Sequence, residues 1–308
     1  MSHEGANPSP MTPVSPGGGE PSAAPPAPAA WLPITFNRVA SFANASGDRL
    51  LFLQLAMALI VAASLLRFIH SNYVPVIDQA IRNMPENAAL QDGVLEGAPH
   101  GTLATEKFLS IVVDLDEGGL GQVGDVQLEL HRRYFAVCPM FRALAGVGKL
   151  RYPPGFIPMG RADLEARWEA WRPMLYAAIV ASVTQALMLL WLILATVYAF
   201  PLRLLAYFGN RSLTLGQSWK VAGAALMPGA ALMEAGLVLY GAQWLDLVGL
   251  SLLTALHLLV GWIFLAMSLG RVPRIPVIEA APNSFRAQAQ DAPDGGGKAA
   301  ESDNPFRS

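Results

Sequence analysis

The sequence is poor in charge, in cysteine and in histidine, and each shortage closes off a class of function. Only 14% of its 308 residues are Asp, Glu, Lys or Arg, where soluble domains carry about 25%. Net charge is −2, so there is no basic field for a nucleic acid to follow, and none is expected as a partner. The single cysteine, Cys138, cannot close an intrachain disulfide and leaves too few thiols for a structural zinc or iron–sulfur site. It reads as a small buried apolar residue. Four histidines outside the apolar runs are scattered, and His131, beside Arg132 and Arg133, reads as a solvated strand end. No His-Glu-x-x-His, Gly-x-Ser-x-Gly or phosphate-binding Gly-x-x-x-x-Gly-Lys motif occurs. The expectation is a protein that is not an enzyme and that holds no cofactor.

Apolar residues make up 53% of the chain and fall into four runs. Residues 50–66, 173–202 and 247–270 carry no charge, and 221–245 is interrupted only by Glu234. A helix that crosses a bilayer needs about 20 predominantly apolar residues. The chain therefore reads as an α-helical integral membrane protein with four transmembrane helices, at 49–68, about 174–202, 219–241 and 247–270. Residues 69–172 form a small α+β external domain between helices 1 and 2. Residues 1–48, rich in Pro and Ala, and residues 276–308 read as disordered tails.

Lys and Arg near the spans set the orientation. Arg38 and Arg49 precede the first span; Arg203, Arg211 and Lys220 link the second to the third; Arg271 and Arg274 follow the fourth. The third–fourth connection has no basic residue. Both termini are thus expected in the cytoplasm of a bacterium, with the chain multi-pass in the inner membrane and residues 69–172 in the periplasm. Arg67 and Arg172 lie on the opposite side. The first span begins too late for a cleaved signal peptide and reads as an uncleaved signal-anchor.

Within the external segment, residues 107–114 read as a buried strand. Residues 125–131 alternate, with Val126, Leu128 and Leu130 on one face and Gln127, Glu129 and His131 on the other. Residues 134–138 suggest a third strand and 151–158 a turn-rich break. From Asp163 the apolar spacing turns helical and runs into the second span. Residues 201–219 suit either a helix in the inner interface, ended by a turn at Gly209-Asn210, or an ordinary positive loop.

Between the first two strands lies Asp-Leu-Asp-Glu-Gly-Gly-Leu-Gly-Gln-Val-Gly-Asp, residues 114–125. Gly119, Gly121 and Gly124 spell a dinucleotide fingerprint, but that motif needs a following helix and a strand follows here, so no nucleotide is expected. Asp114, Asp116 and Asp125 occupy positions 1, 3 and 12 of a calcium loop. Gly118 at position 5 and Asp125 in place of Glu weaken that match. The remaining reading is a hairpin loop whose glycines supply positive φ.

Inside the spans, Gln185, Glu234 and His257 fall at similar depth, and Thr254 lies three residues before His257. A lone carboxylate in hydrocarbon costs about 2.5–3.5 kcal/mol on insertion scales, so Glu234 needs a partner, and His257 on the adjoining helix is the obvious one. The cluster is read as interhelical glue, as the lining of a proton or solute pathway, or as a shifted third span with Glu234 near the interface. Pro228 and Gly229 should kink the third helix, and Ala225/Gly229 and Ala231/Ala235 have the spacing for close helix packing.

Three segments carry a family resemblance: Asn83-Met-Pro-Glu-Asn-Ala-Ala-Leu-Gln-Asp-Gly-Val-Leu, Ile111-Val-Val-Asp, and Ser212-Leu-Thr-Leu-Gly-Gln-Ser-Trp-Lys followed by Ala224-Ala-Leu-Met-Pro. On these, residues 35–275 resemble the bacterial membrane proteins of the domain of unknown function 1189 family, distantly similar to Yip-type proteins. The resemblance implies four spans and an accessory or membrane-organising role, and it supplies no catalytic residues. The expected function is interaction, with the lipid bilayer and with other membrane proteins or a second copy as partners. The alternatives are a small transporter or proton-coupled protein using Glu234 and His257, and a sensor with an external ligand-binding domain.

Overall fold

The computed structural model describes residues 31–116, 121, 123–140 and 148–274. Residues 1–30 and 275–308 of the expected tails lie outside these. Four helices are long and apolar enough to cross a membrane. They belong to α2 (Gly47–Asn72), α4 (Arg161–Phe208), α5 (Leu215–Gly241) and α6 (Leu247–Leu269). A small sheet region sits between the first two. Their starts are written into the sequence. Thr214 and Gln217 form a reciprocal capping box at α5, and Asp246 accepts from the Gly249 N–H at α6.

Two departures from the sequence reading concern the bundle. Residues 31–48, expected to belong to a disordered tail, contain α1 (Phe36–Ser41) and a 3-10 turn (Phe42–Asn44). Val39 and Phe42 are fully buried against Leu50, Leu202, Val221 and Leu265, Phe36 packs on Phe264 at 4.7 Å, and Lys220 Nζ donates to the Ala45 carbonyl at 2.7 Å. Composition hid this segment because it is short and adjoins the Pro/Ala-rich stretch. Second, residues 201–208 form no separate interfacial helix. They are the last two turns of α4, which runs 48 residues through Pro173 and Pro201, about 72 Å at 1.5 Å per residue. The turn at Gly209-Asn210 is present, with Asn210 at φ 52°.

α5 is the centre of the bundle and packs on α2, α4 and α6. Small residues allow this. A Cβ on Gly229 would come within 2.7 Å of the His257 carbonyl oxygen, so α5 and α6 cross at backbone contact. Ala225 and Gly229 are buried at such contacts, whereas Ala231 and Ala235 are exposed. The first small-residue pair packs and the second does not. Helix α5 continues on both sides of Pro228.

At the other end of the bundle, α3 (Val74–Arg82) leads into two sheets. The first is an antiparallel set in the order β2-β1-β8, from β1 (Ala89–Gln91), β2 (Val94–Glu96) and β8 (Phe156–Pro158). Asp92 and Gly93, both at positive φ, turn β1 into β2, the two-residue Asp-Gly hairpin turn that follows strand twist. The second has the order β3-β4-β5-β6-β7, from β3 (Gly101–Thr105), β4 (Leu109–Val113), β5 (Val126–Leu130), β6 (Tyr134–Pro139) and β7 (Gly148–Arg151). Val76, Ala80 and Met84, on α3 and just beyond it, pack with Leu109, Ile111 and Val113 as the core of this domain.

The pairing of β4 with β5 is parallel, which corrects the expected hairpin at 117–124. Parallel neighbours need a crossover, not a tight turn. Of its glycines, Gly121 and Gly124 do not adopt positive φ, and Gly118 and Gly119 lie outside the described residues. Gly124 is needed for another reason. A Cβ there would meet the backbone of Leu109 and Ser110 at 3.1–3.2 Å.

Sheet domain and bundle are joined at the bundle end and along one flank. Phe108 packs on Phe68 at 5.1 Å and on Tyr240 at 4.9 Å, and the Tyr240 hydroxyl donates to Asp125 Oδ2 at 2.5 Å. On the flank, Asp78 of α3 accepts from Trp168 Nε1 at 2.6 Å and from Arg172 at 3.0 Å, both on α4.

Candidate functional site

The polar residues of the spans do not assemble as the sequence suggested. Glu234 Oε1 accepts a hydrogen bond from Ser64 on α2, a partner the sequence reading missed. His257 turns to its own helix, where Nδ1 donates to the Thr254 carbonyl. Glu234 is therefore held by Ser64, not by a hydrogen bond to His257. The Thr254 hydroxyl caps the Leu250 carbonyl at 2.8 Å and reaches Met233 Sδ at 3.6 Å. Gln185 is exposed on another face of α4, beside Leu59 and Tyr176. Depth arithmetic placed these residues at one level, but only helix rotation decides which of them meet. Ser64 was legible in principle: it is a small hydroxyl residue on α2, eight residues before that helix ends at Asn72.

Glu234 and His257 do line one cavity, of about 430 Å³, between α4, α5 and α6. Its other walls are apolar, among them Leu190, Trp191, Leu226, Leu258 and Gly261. Tyr198 and Trp262 stack at 4.8 Å at the end nearer the termini. Leu190 and Leu258 are about half exposed, so the cavity opens sideways between α4 and α6. Glu234 Oε2 is buried and has no hydrogen-bond partner among the described residues.

A carbonyl oxygen only accepts, so His257 Nδ1 carries the hydrogen of that bond, and Nε2 is left for another partner. Glu234 and His257 thus bring polar groups of two helices to the cavity wall.

The second polar cluster is in the sheet. The alternation along β5 is as expected, and its apolar face packs on the domain core, but its polar face is buried too. Gln127 is fully buried, and Glu129 and His131 nearly so. Val126, Leu128 and Leu130 are only partly buried. Ser110 Oγ donates to Gln127 Oε1 at 3.1 Å, and Gln127 Nε2 donates to Glu129 Oε1 at 2.9 Å. His131 Nε2 meets Glu129 Oε2 at 3.2 Å. Nδ1 of the same ring donates to the Asp114 carbonyl at 2.9 Å, and the ring stacks on Tyr134 at 4.4 Å. His131 is no solvated strand end. Cys138 is buried on the same face, opposite Gln127 in the register.

The parallel register also decides the calcium reading. Leu109 pairs with Val126 and Val113 with Leu130, so Asp114 is level with His131 while Asp125 lies at the other end of the strands. At about 3.3 Å per residue the two carboxylates are roughly 20 Å apart. Asp114 is buried, Asp116 exposed and Asp125 bonded to Tyr240. Among the described residues no group of three or more His, Cys, Asp or Glu could hold a metal ion.

Compared with protein-family models, curated proteins and solved structures, the chain matches none of them.

Proposed function

We propose that the chain is a multi-pass protein of a bacterial inner membrane, with both termini cytoplasmic and the sheets periplasmic. It acts by interaction, as an accessory, assembly or membrane-organising protein. The observation that carries this reading is the double attachment of the sheet domain. Asp78, Phe108 and Asp125 tie it to α2, α4 and α5, so the far end of the larger sheet is held at a set pose away from the helices. That end carries exposed Arg132 and Arg133 and the edge strand β7, all four of whose residues are exposed. An edge strand bearing Lys149 and Arg151 can accept a strand or an acidic surface from another chain. Kinship with the domain of unknown function 1189 family belongs to the same proposal and rests on the segments quoted above.

A photo-crosslinking residue at Leu150, which is 55% exposed, is expected to capture a discrete protein partner in cells. Failure there and at Arg132 and Arg133, with the protein at normal abundance, would count against the reading. Orientation is tested separately with Leu150→Cys and Ser302→Cys in a Cys138→Ala background. A membrane-impermeant maleimide should label only the first in intact spheroplasts.

The shared cavity of Glu234 and His257 favours a second reading, a small transporter or proton-coupled protein. That reading requires Glu234→Gln and His257→Ala each to abolish flux in liposomes.

A further inference from the structure

The cavity between α4, α5 and α6 has a direction. Glu234 lies six residues before Tyr240, the residue of α5 that touches the sheet domain, so its carboxylate sits about 9 Å inside that end of the bundle. From there the lining runs along α5 from Leu237 to Leu226, eleven residues or about 16 Å. Apart from His257 and Met233, the lining below the carboxylate is hydrocarbon or aromatic as far as Tyr198. The mouth is lateral, between half-exposed Leu190 and Leu258. Such a slot is long, narrow and entered from lipid, and its volume of about 430 Å³ falls in the range of ligand pockets, about 300–1,000 Å³.

The polar end has a definite chemistry as well. Ser64 already donates to Glu234 Oε1, leaving Oε2 buried without a donor. His257 Nδ1 is committed to the Thr254 carbonyl, so its other nitrogen offers a lone pair when the ring is neutral. A carboxyl group on the wall of an otherwise apolar slot calls for a head with several N–H donors and a positive charge.

We infer that this cavity binds a single-chain amphiphile with a primary ammonium head, the ammonium on Glu234 and the chain lying along α5 toward Leu226. The ligand enters sideways from the lipid, between Leu190 and Leu258. The inference stands apart from both functional readings above, since a partner-binding protein or a transporter could hold such a molecule.

The test uses full-length protein in phosphatidylcholine nanodiscs, whose own headgroup has no N–H, with empty nanodiscs as the partition control. Tritiated dodecylamine should show one saturable site per chain. Dodecanol and methyl laurate should compete at least tenfold more weakly, because the alcohol brings one donor without charge and the ester none. Glu234→Gln should weaken dodecylamine at least tenfold. Gly261→Leu should abolish saturable binding by filling the slot, where a Cβ would meet only the Leu226 side chain, at 3.9 Å. Absence of a saturable component in the native protein overturns the inference, as does equal competition by the three compounds. Undiminished binding in both variants, each monodisperse on gel filtration, overturns it too. The selectivity series needs no variant, so a misfolded mutant does not block the result.

Discussion

Gly229 shows how much one missing side chain decides. In a helix, Gly→Ala ordinarily gains about 1 kcal/mol of propensity. Here the new Cβ would stand 2.7 Å from a backbone oxygen of α6, a clash that no side-chain rotation relieves. Overpacking of this kind costs about 1–3 kcal/mol, so Gly229→Ala is expected to lower stability in a denaturant titration in bicelles, against the propensity trend. Sequence spacing singled out Gly229 correctly. It could not separate that residue from Ala231 and Ala235, because spacing does not say which face has a neighbour.

His131 makes the opposite point. Its ring is buried with hydrogen-bond partners at both nitrogens, and truncating it takes a contact from both strand ends and leaves a void. His131→Ala should therefore cost about 1–3 kcal/mol, seen as faster hydrogen exchange across β4, β5 and β6. The Tyr152 hydroxyl is buried without a partner among the described residues, and burial pushes the phenol above its usual 10.0. The folded state thus favours the protonated form, so its stabilising contribution is complete below about pH 10 and is lost as pH rises further. Tyr152→Phe should flatten the alkaline limb of the stability profile and cost little at neutral pH, because no hydrogen bond is broken.

At the scale of elements, the long helices were legible because a 17- to 30-residue apolar run admits few other structures. Strand β4, buried along its whole length, was legible for the same reason. Strand β5 was half legible. Its period of two was plain, and its apolar face does pack on the domain core, but that the polar face is buried as well depends on hydrogen-bond partners that spacing does not show. The sense of its pairing with β4 was not legible at all, since Gly-rich chain serves a crossover as well as a turn.

Helix α1 was missed because six residues give too short a window for periodicity. Its contribution can be measured through the turn that follows. Phe42 is fully buried, so Phe42→Ala should cost about 3–5 kcal/mol and expose residues 31–45 to protease at the terminal end. The flank contact of α3 with α4 is weaker. Arg172 and Asp78 are each 29% exposed, and solvent screens such a pair to about 1 kcal/mol or less. A double-mutant cycle of Asp78→Asn with Arg172→Leu should return a coupling of that size.

For the molecule as a whole, the sheet-bearing domain is small, split between two sheets and without a disulfide, since Cys138 is alone. Domains of this kind are usually marginal unless something staples them. The contact of Asp78 with Trp168 closes a span of 90 residues, and α2 and α4, the helices that lead into and out of that span, pack against each other in the bundle. Once both helices are inserted, the ends of the domain can no longer wander apart, even when the sheets are unfolded. The bilayer thereby acts as a covalent cross-link would, lowering the entropy of the unfolded chain. For a loop near 100 residues that is worth up to about 4.7 kcal/mol in the chain-entropy picture. Residues 73–160 cut free of the helices should accordingly lose several kcal/mol of protection in hydrogen exchange relative to the same residues in the full chain. A protein with one cysteine can in this way let lipid take the place of a disulfide.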